Sequence, residues 1–184
     1  LALLGKKVVF VGLDLRKPRL VALFGLKPTK QGIVNFLCGL EPDYELLESQ
    51  IIPSGIHKNM DVLPAGIIPP NPAELLSGDL LPKAIDYLSK KYDYVIMDTP
   101  PVGLVSDTLM IAKLANVTLF VVRVDHSPKA NFELINSLAN EEKMSNCNIV
   151  LNAVNMSKRR QSYHYGHYGH YGHYGHYGRY GHVD

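Results

Sequence analysis

The sequence predicts an α/β fold, a doubly wound and mostly parallel sheet, on three observations. Short continuous apolar runs recur at Val8–Val11, Tyr94–Met97 and Val117–Val122, of the kind that parallel sheets bury on both faces. Stretches with apolar residues at helical spacing lie between them. Two of the runs also end near a carboxylate, Asp14 and Asp98. Ligands of open α/β sheets bind just outside those carboxyl ends.

Leu1-Ala2-Leu3-Leu4-Gly5 reads as the last turn of a helix closed by a C-terminal glycine. With Leu at position 1, the chain is expected to start partway through a longer protein. Strand Val8–Val11 runs into Gly12-Leu13-Asp14-Leu15-Arg16-Lys17-Pro18-Arg19, and Pro18 suits the first turn of a short helix reaching Phe24. Gly32 to Leu40 is apolar enough for another helix. Ile51-Ile52 fits a short edge strand, and Met60–Leu63 an inner one. Asn71 as N-cap, Pro72 at the first helical position and Glu74 in the first turn start a further helix. Leu80 to Lys91 continues, with Leu81, Ala84, Ile85 and Leu88 on one face. Tyr94–Met97 is read as a strand buried on both faces, ended by Asp98 and by Pro100-Pro101. A helix over Ser106–Ala115, a strand over Val117–Val122, a helix over Lys129–Lys143 and a last strand over Ile149–Val154 complete the series.

At 184 residues and 46% hydrophobic content, one sizeable core and one domain, residues 1–155, are expected. The formal charge of +2 gives no global field for nucleic acid. Cys38 and Cys147 lie in apolar contexts, match no metal spacing and read as reduced core thiols. No apolar run approaches the roughly 18 residues of a membrane span, so the chain itself is expected to be soluble.

Residues 156–184 differ in composition. After Lys158-Arg159-Arg160 come Ser162-Tyr163-His164-Tyr165 and a Gly-His-Tyr triplet repeated over 166–177. A period of three suits neither a helix face nor a strand face. With glycine every third residue and no aliphatic side chain before Val183, the segment reads as a disordered tail.

Asp98 is open to two readings. It can cap the turn after its strand, or hold the magnesium of a bound nucleotide, as a strand-ending aspartate does in P-loop NTPases. Asp14 is read as a site carboxylate, with a turn carboxylate pairing with Arg16 or Lys17 as the alternative. A phosphate loop of the form G-x-x-x-x-G-K-[ST] is absent, since the only Gly-Lys is Gly5-Lys6 with Lys7 behind it. Either the chain does no nucleotide chemistry, or the loop lies upstream of Leu1.

Val8-Val9-Phe10-Val11-Gly12-Leu13-Asp14-Leu15-Arg16-Lys17-Pro18 resembles the second Walker motif (Walker A′) of bacterial tyrosine kinases, the BY-kinases. These share a superfamily branch with the MinD/ParA ATPases. Val95-Ile96-Met97-Asp98-Thr99-Pro100-Pro101 resembles their Walker B motif. Pro69-Pro70-Asn71-Pro72-Ala73-Glu74-Leu75-Leu76 resembles a segment common in capsule and exopolysaccharide members, and a C-terminal tyrosine cluster completes the pattern. The resemblance covers nearly the whole chain. One departure is plain: Walker A′ carries two acidic residues, D-x-D, and Gly12 stands at the first.

The resemblance implies a P-loop NTPase-like fold and a tyrosine kinase using ATP and Mg²⁺. Asp14 and Asp98 would share the work, one holding magnesium through water and the other orienting or deprotonating the attacking tyrosine. Arg16 and Lys17 would steer phosphates, or form a solvated basic turn. Asn152 and Asn155 sit where relatives contact adenine, or close a strand-end turn. The phosphoacceptors would be Tyr163, Tyr165, Tyr168, Tyr171, Tyr174, Tyr177 and Tyr180, modified in trans within a ring-type homo-oligomer. Implied partners are a membrane-anchored polysaccharide co-polymerase region, which would place the domain at the cytoplasmic face of the inner membrane, and a tyrosine phosphatase. Without a phosphate loop the residues present are expected to be inactive alone.

Two readings stand beside this one. The domain could be a MinD/ParA-like ATPase switch in which Gly12 signals lost chemistry. It could also be a polysaccharide-assembly scaffold whose histidines, His164, His167, His170, His173, His176 and His182, bind a metal such as Zn²⁺, Ni²⁺ or Cu²⁺.

Overall fold

Strand β1 (Val8–Gly12) lies between two parallel neighbours, β3 (Met60–Leu63) and β4 (Tyr94–Asp98), and β2 (Ile52–Pro53) adds an antiparallel edge to β3. The structure is a computed structural model and describes residues 1–102, 107–141 and 144–155. The order β2-β3-β1-β4 brings the carboxyl ends of β1, β3 and β4 to one side. In this register Gly12 faces Asp98. A second, two-stranded parallel sheet pairs β5 (Thr118–Arg123) with β6 (Cys147–Asn152).

The helices are α1 (Leu20–Leu23), α2 (Ile33–Leu37), α3 (Tyr44–Ser49), α4 (Pro72–Ser77), α5 (Leu80–Lys91), α6 (Asp107–Ala112) and α7 (Ala130–Asn140). Several are shorter than their sequence spans suggest, because backbone caps end them early; Cys38 already closes α2, before Gly39. Helix α3 has no counterpart in the sequence reading. It is started by Asp43, whose side chain accepts the Leu46 N–H at 2.9 Å. Ala2–Leu4 forms a single 3₁₀ turn closed by Gly5 at φ 82°.

The core is built on β1 and α5. Val9 and Val11 are fully buried, and Leu81, Ala84, Ile85 and Leu88 present the expected face of α5 to them. Each buried aliphatic side chain of this kind contributes about 1.5–3 kcal/mol. Helix α6 joins this core to a smaller one: Ile111 packs in the first, and Ala112 with Leu138 and Met144 in the second.

Two expectations are corrected. β4 is the last strand of its sheet, with Tyr94 exposed and Val95 to Asp98 half-buried, because among the described residues nothing pairs with its outer edge. Cys38 is exposed at the end of α2, while Cys147 is half-buried. The tail, residues 156–184, lies outside the described residues.

Backbone packing fixes the loop after β3. The Ile33 and Val34 N–H groups donate to Pro64 O at 2.8 Å and Ala65 O at 3.1 Å. A Cβ on Gly32 would sit 2.4 Å from both Gly66 N and Pro64 O, so only glycine lets α2 dock here. Gly66, at φ 91°, is the second residue that must lack a side chain.

Candidate functional site

The turn after β1 is organised by Asp14. Its Oδ1 accepts the N–H groups of Arg16 at 3.2 Å and Lys17 at 3.0 Å, which bends the chain towards α1. The turn needs only one oxygen of this carboxylate. Asp98 ends β4 beside it, and the Asp98 carbonyl accepts the Leu13 N–H at 2.8 Å. The two carboxylates thus come from adjacent parallel strands and meet at their carboxyl ends, where open α/β sheets bind ligands.

Burial pushes the Asp98 carboxyl above the ordinary carboxylate range, and the nearby Asp14 charge adds to the shift. A cation placed between the two would relieve both effects. Among the described residues no group of three or more His, Cys, Asp or Glu side chains could cage a metal. Two carboxylates do suit Mg²⁺, which keeps several waters and shares its remaining positions with substrate phosphates. The donor set therefore fits that ion.

Both carboxylates open on a cavity of about 220 Å³. Its other walls come from Gly12, from Pro18 to Ala22, from Leu26, Pro28 and Thr29, and from Ala65 and Gly66. A Cβ at Gly12 would lie 3.0 Å from Ala65 N and 3.5 Å from Leu20 Cδ2. Position 12 is thus a floor with almost no room for a side chain.

Arg16 turns away from this cavity to the start of α6. Its Nε donates to Asp107 Oδ2 at 2.7 Å and its Nη2 to Asp107 Oδ1 at 3.2 Å. Asp107 is 1% exposed, and the fork-to-fork geometry supplies the pairing a buried carboxylate requires. The hydrogen bond to Asp107 holds the guanidinium above its usual pKa, with further help from the Asp107 and Asp14 charges. Asp107 escapes sequence reading because an aspartate in the first turn of a helix looks like an ordinary partner of the helix N-terminus. Thr108 next to it donates to Pro100 O at 2.6 Å, tying α6 to the residues that follow Asp98.

Asn152 ends β6, where its Oδ1 accepts the Ala153 N–H at 2.7 Å. Neither Asn152 nor Asn155 is among the residues lining the cavity. The seven tail tyrosines and the six tail histidines lie outside the described residues. Arg19 and the wall from Leu20 to Thr29 were not singled out from sequence, since nothing local distinguishes them from a surface turn. No helix among the described residues is long and apolar enough to cross a membrane.

No protein-family model matches the chain. It is 32% identical over 162 residues to the tyrosine-protein kinase YwqD of Bacillus subtilis, covering 88% of this chain and 66% of that protein. The kinase domain of the Escherichia coli tyrosine kinase ETK superposes with a TM-score of 0.69 at 30% identity, over 82% of this chain and 57% of its own. A MinD cell division protein of Aquifex aeolicus shares the fold, with a TM-score of 0.64 at 22% identity over 87% of this chain and 62% of its own. Other relatives are much longer, and the chain spans only 17% and 20% of two of them. The fold is thus P-loop NTPase-like, and the chain belongs to the bacterial tyrosine-kinase (BY-kinase) family.

Proposed function

We propose that this domain, within a longer protein, transfers the γ-phosphoryl group of Mg·ATP to tyrosine hydroxyls, chiefly those of its own C-terminal cluster and of neighbouring copies. The observation that carries this reading is the convergence of Asp14 and Asp98 on one cavity at the ends of β1 and β4. In the transfer, the phenolic oxygen bonds to the γ-phosphorus while the bond to the β–γ bridging oxygen breaks. ADP leaves and the phenolic proton passes to a carboxylate. Of Asp14 and Asp98, one would hold magnesium and the other would take that proton. Magnesium, when bound, neutralises charge on the phosphates. Arg16 keeps the Asp14 turn in place through Asp107.

A phosphate-cradling loop is needed as well, and a further segment of the protein would supply it. The outer edge of β4, unpaired among the described residues, is suited to a strand that leads such a loop to Asp98. Leu119, Val121 and Val150 share one face of the β5–β6 sheet and are exposed, ready for covering by the same segment.

Residues 158–184 carry four Lys/Arg and one Asp, a formal +3. Seven phosphates, each about −1.5 to −2, would bring this to roughly −8 to −11. A tail of that charge would leave a carboxylate-lined site and loosen an oligomer. The family's capsule and exopolysaccharide context makes polysaccharide export the process so switched, at the inner membrane, with a co-polymerase region as partner and a phosphatase to reset the tail.

The test is intact-mass and phosphopeptide analysis of the full-length protein with Mg·ATP, beside Asp98→Asn. Phosphates on Tyr163 to Tyr180 in the first and not the second support the kinase. Nucleotide hydrolysis without phosphotyrosine would replace this reading by an ATPase switch, the outcome that Gly12 favours.

A further inference from the structure

We infer that Asp107 and Thr108, consecutive in the first turn of α6, are positioning residues. Together they set how closely Asp14 and Asp98 approach, and so how tightly the site takes a divalent cation. This rests on the kinase reading above, in which those two carboxylates serve Mg·ATP, and adds what holds them together.

The sheet does not hold them by itself. Pairing of β1 with β4 ends at Gly12 and Asp98, followed by one bond from the Leu13 N–H to the Asp98 carbonyl. Beyond that bond the Asp14 turn and the residues after Asp98 leave the strands. Two carboxylates that share a site also repel each other.

Helix α6 supplies a second tie. Asp14 Oδ1 accepts the Arg16 N–H, so this carboxylate and Arg16 belong to one turn. The Arg16 guanidinium in turn grips Asp107 with bonds of 2.7 and 3.2 Å. On the other side, the Pro100 carbonyl accepts the Thr108 hydroxyl at 2.6 Å. Arg16 and Pro100 each stand two positions after a site carboxylate, and their two anchors are neighbours on one helical turn. Asp107 and Thr108 are both buried, where hydrogen bonds are stronger than in water. Helix α6 is itself fixed, by Ile111 in the larger core and Ala112 in the smaller one. Both loops are therefore braced on a rigid element before any cation arrives. Outer partners that orient metal ligands are worth about 10–100-fold in metal affinity.

The experiment is an electron paramagnetic resonance titration of the full-length protein with Mn²⁺ at saturating ADP, since Mn²⁺ takes the oxygen donors that suit Mg²⁺. Thr108→Val keeps the shape and removes the hydroxyl, and Asp107→Ala removes the grip on Arg16. Each is expected to raise the Mn²⁺ dissociation constant about 10-fold or more. Thr108→Ser, which restores a hydroxyl, should return it to within twofold of wild type. Ile111→Val loosens the packing of α6 without touching either tie; it should lower Tm and leave the constant within twofold. A constant within twofold of wild type in either tie variant overturns the inference and leaves the kinase reading intact. So does equal weakening by Ile111→Val, which would reduce the effect to stability. No nucleotide-dependent Mn²⁺ binding by wild type overturns both. Should Asp107→Ala fail to fold, Thr108→Val and its serine rescue decide.

Discussion

Arg16 and Asp107, 91 positions apart in sequence, form a bidentate pair that fastens the turn after β1 to the first residue of α6. Asp107 is buried and Arg16 is partly open to solvent. The pair is therefore asymmetric: losing the arginine strands a buried carboxylate, whereas losing the carboxylate frees an arginine that water can reach.

Thermal unfolding of Arg16→Met, Asp107→Asn and the double variant reads that asymmetry. Arg16→Met is expected to have the lowest Tm, and the double variant to recover part of the loss. Strictly additive shifts would mean that the pair contributes no coupling.

Asp98 should cost the fold stability at neutral pH. Its carboxyl titrates above the ordinary range because of burial and the Asp14 charge. The folded state thus binds the proton more tightly than the unfolded chain does. Stability falls as pH rises from the unfolded value of about 3.9 through the raised value, and remains lower at neutral pH. Asp98→Asn removes that penalty. It is expected to raise Tm at pH 7 and to confer no advantage at pH 3, where the wild-type group is protonated. A scan from pH 3 to 8 checks the sign, and Mg²⁺ should narrow the gap at neutral pH.

Restoring an acid at position 12 is not expected to help. Gly12 is the register partner of Asp98, and a Cβ there meets Ala65 N at 3.0 Å. Gly12→Ala should cost about 1–3 kcal/mol from overpacking. Gly12→Asp should cost more at neutral pH through repulsion with Asp98 and Asp14. Urea midpoints at pH 7 and pH 4 separate the two terms, since only the second fades on acidification.

Gly32→Ala tests the docking of α2 on the loop after β3. Its Cβ would lie 2.4 Å from backbone atoms that no rotamer change can move. The loss should reach or exceed the upper end of about 1–3 kcal/mol seen for overpacking. Gly25→Ala, where a Cβ meets nothing within 4 Å but φ is 66°, supplies the comparison for backbone strain alone.

Much of the fold was legible because it rests on local pattern. The runs at Val8–Val11, Met60–Leu63 and Tyr94–Met97 are strands as expected, and the face Leu81, Ala84, Ile85 and Leu88 is buried as its spacing requires. Asp14 and Asp98 were legible as candidates because each follows an apolar strand. Helix α3 was not, for its start depends on one capping bond from Asp43 and its sequence, Tyr44–Ser49, is too short to show a period. The half-open state of β4 was also hidden, because pairing at a strand's edge depends on other segments and not on the strand's own residues.

The amino-acid order settled the alternation of strands and helices, the two carboxylates at strand ends and the Gly-His-Tyr repeats, since each of these is written in neighbouring side chains. Which carboxylates meet, what Arg16 holds and why positions 12, 32 and 66 lack side chains were decided by the tertiary structure alone. Those properties arise where segments distant in sequence come within a few ångströms. At that range the desolvation of Asp98, the pairing of Asp107 and the space available for one Cβ depend on the packed surroundings.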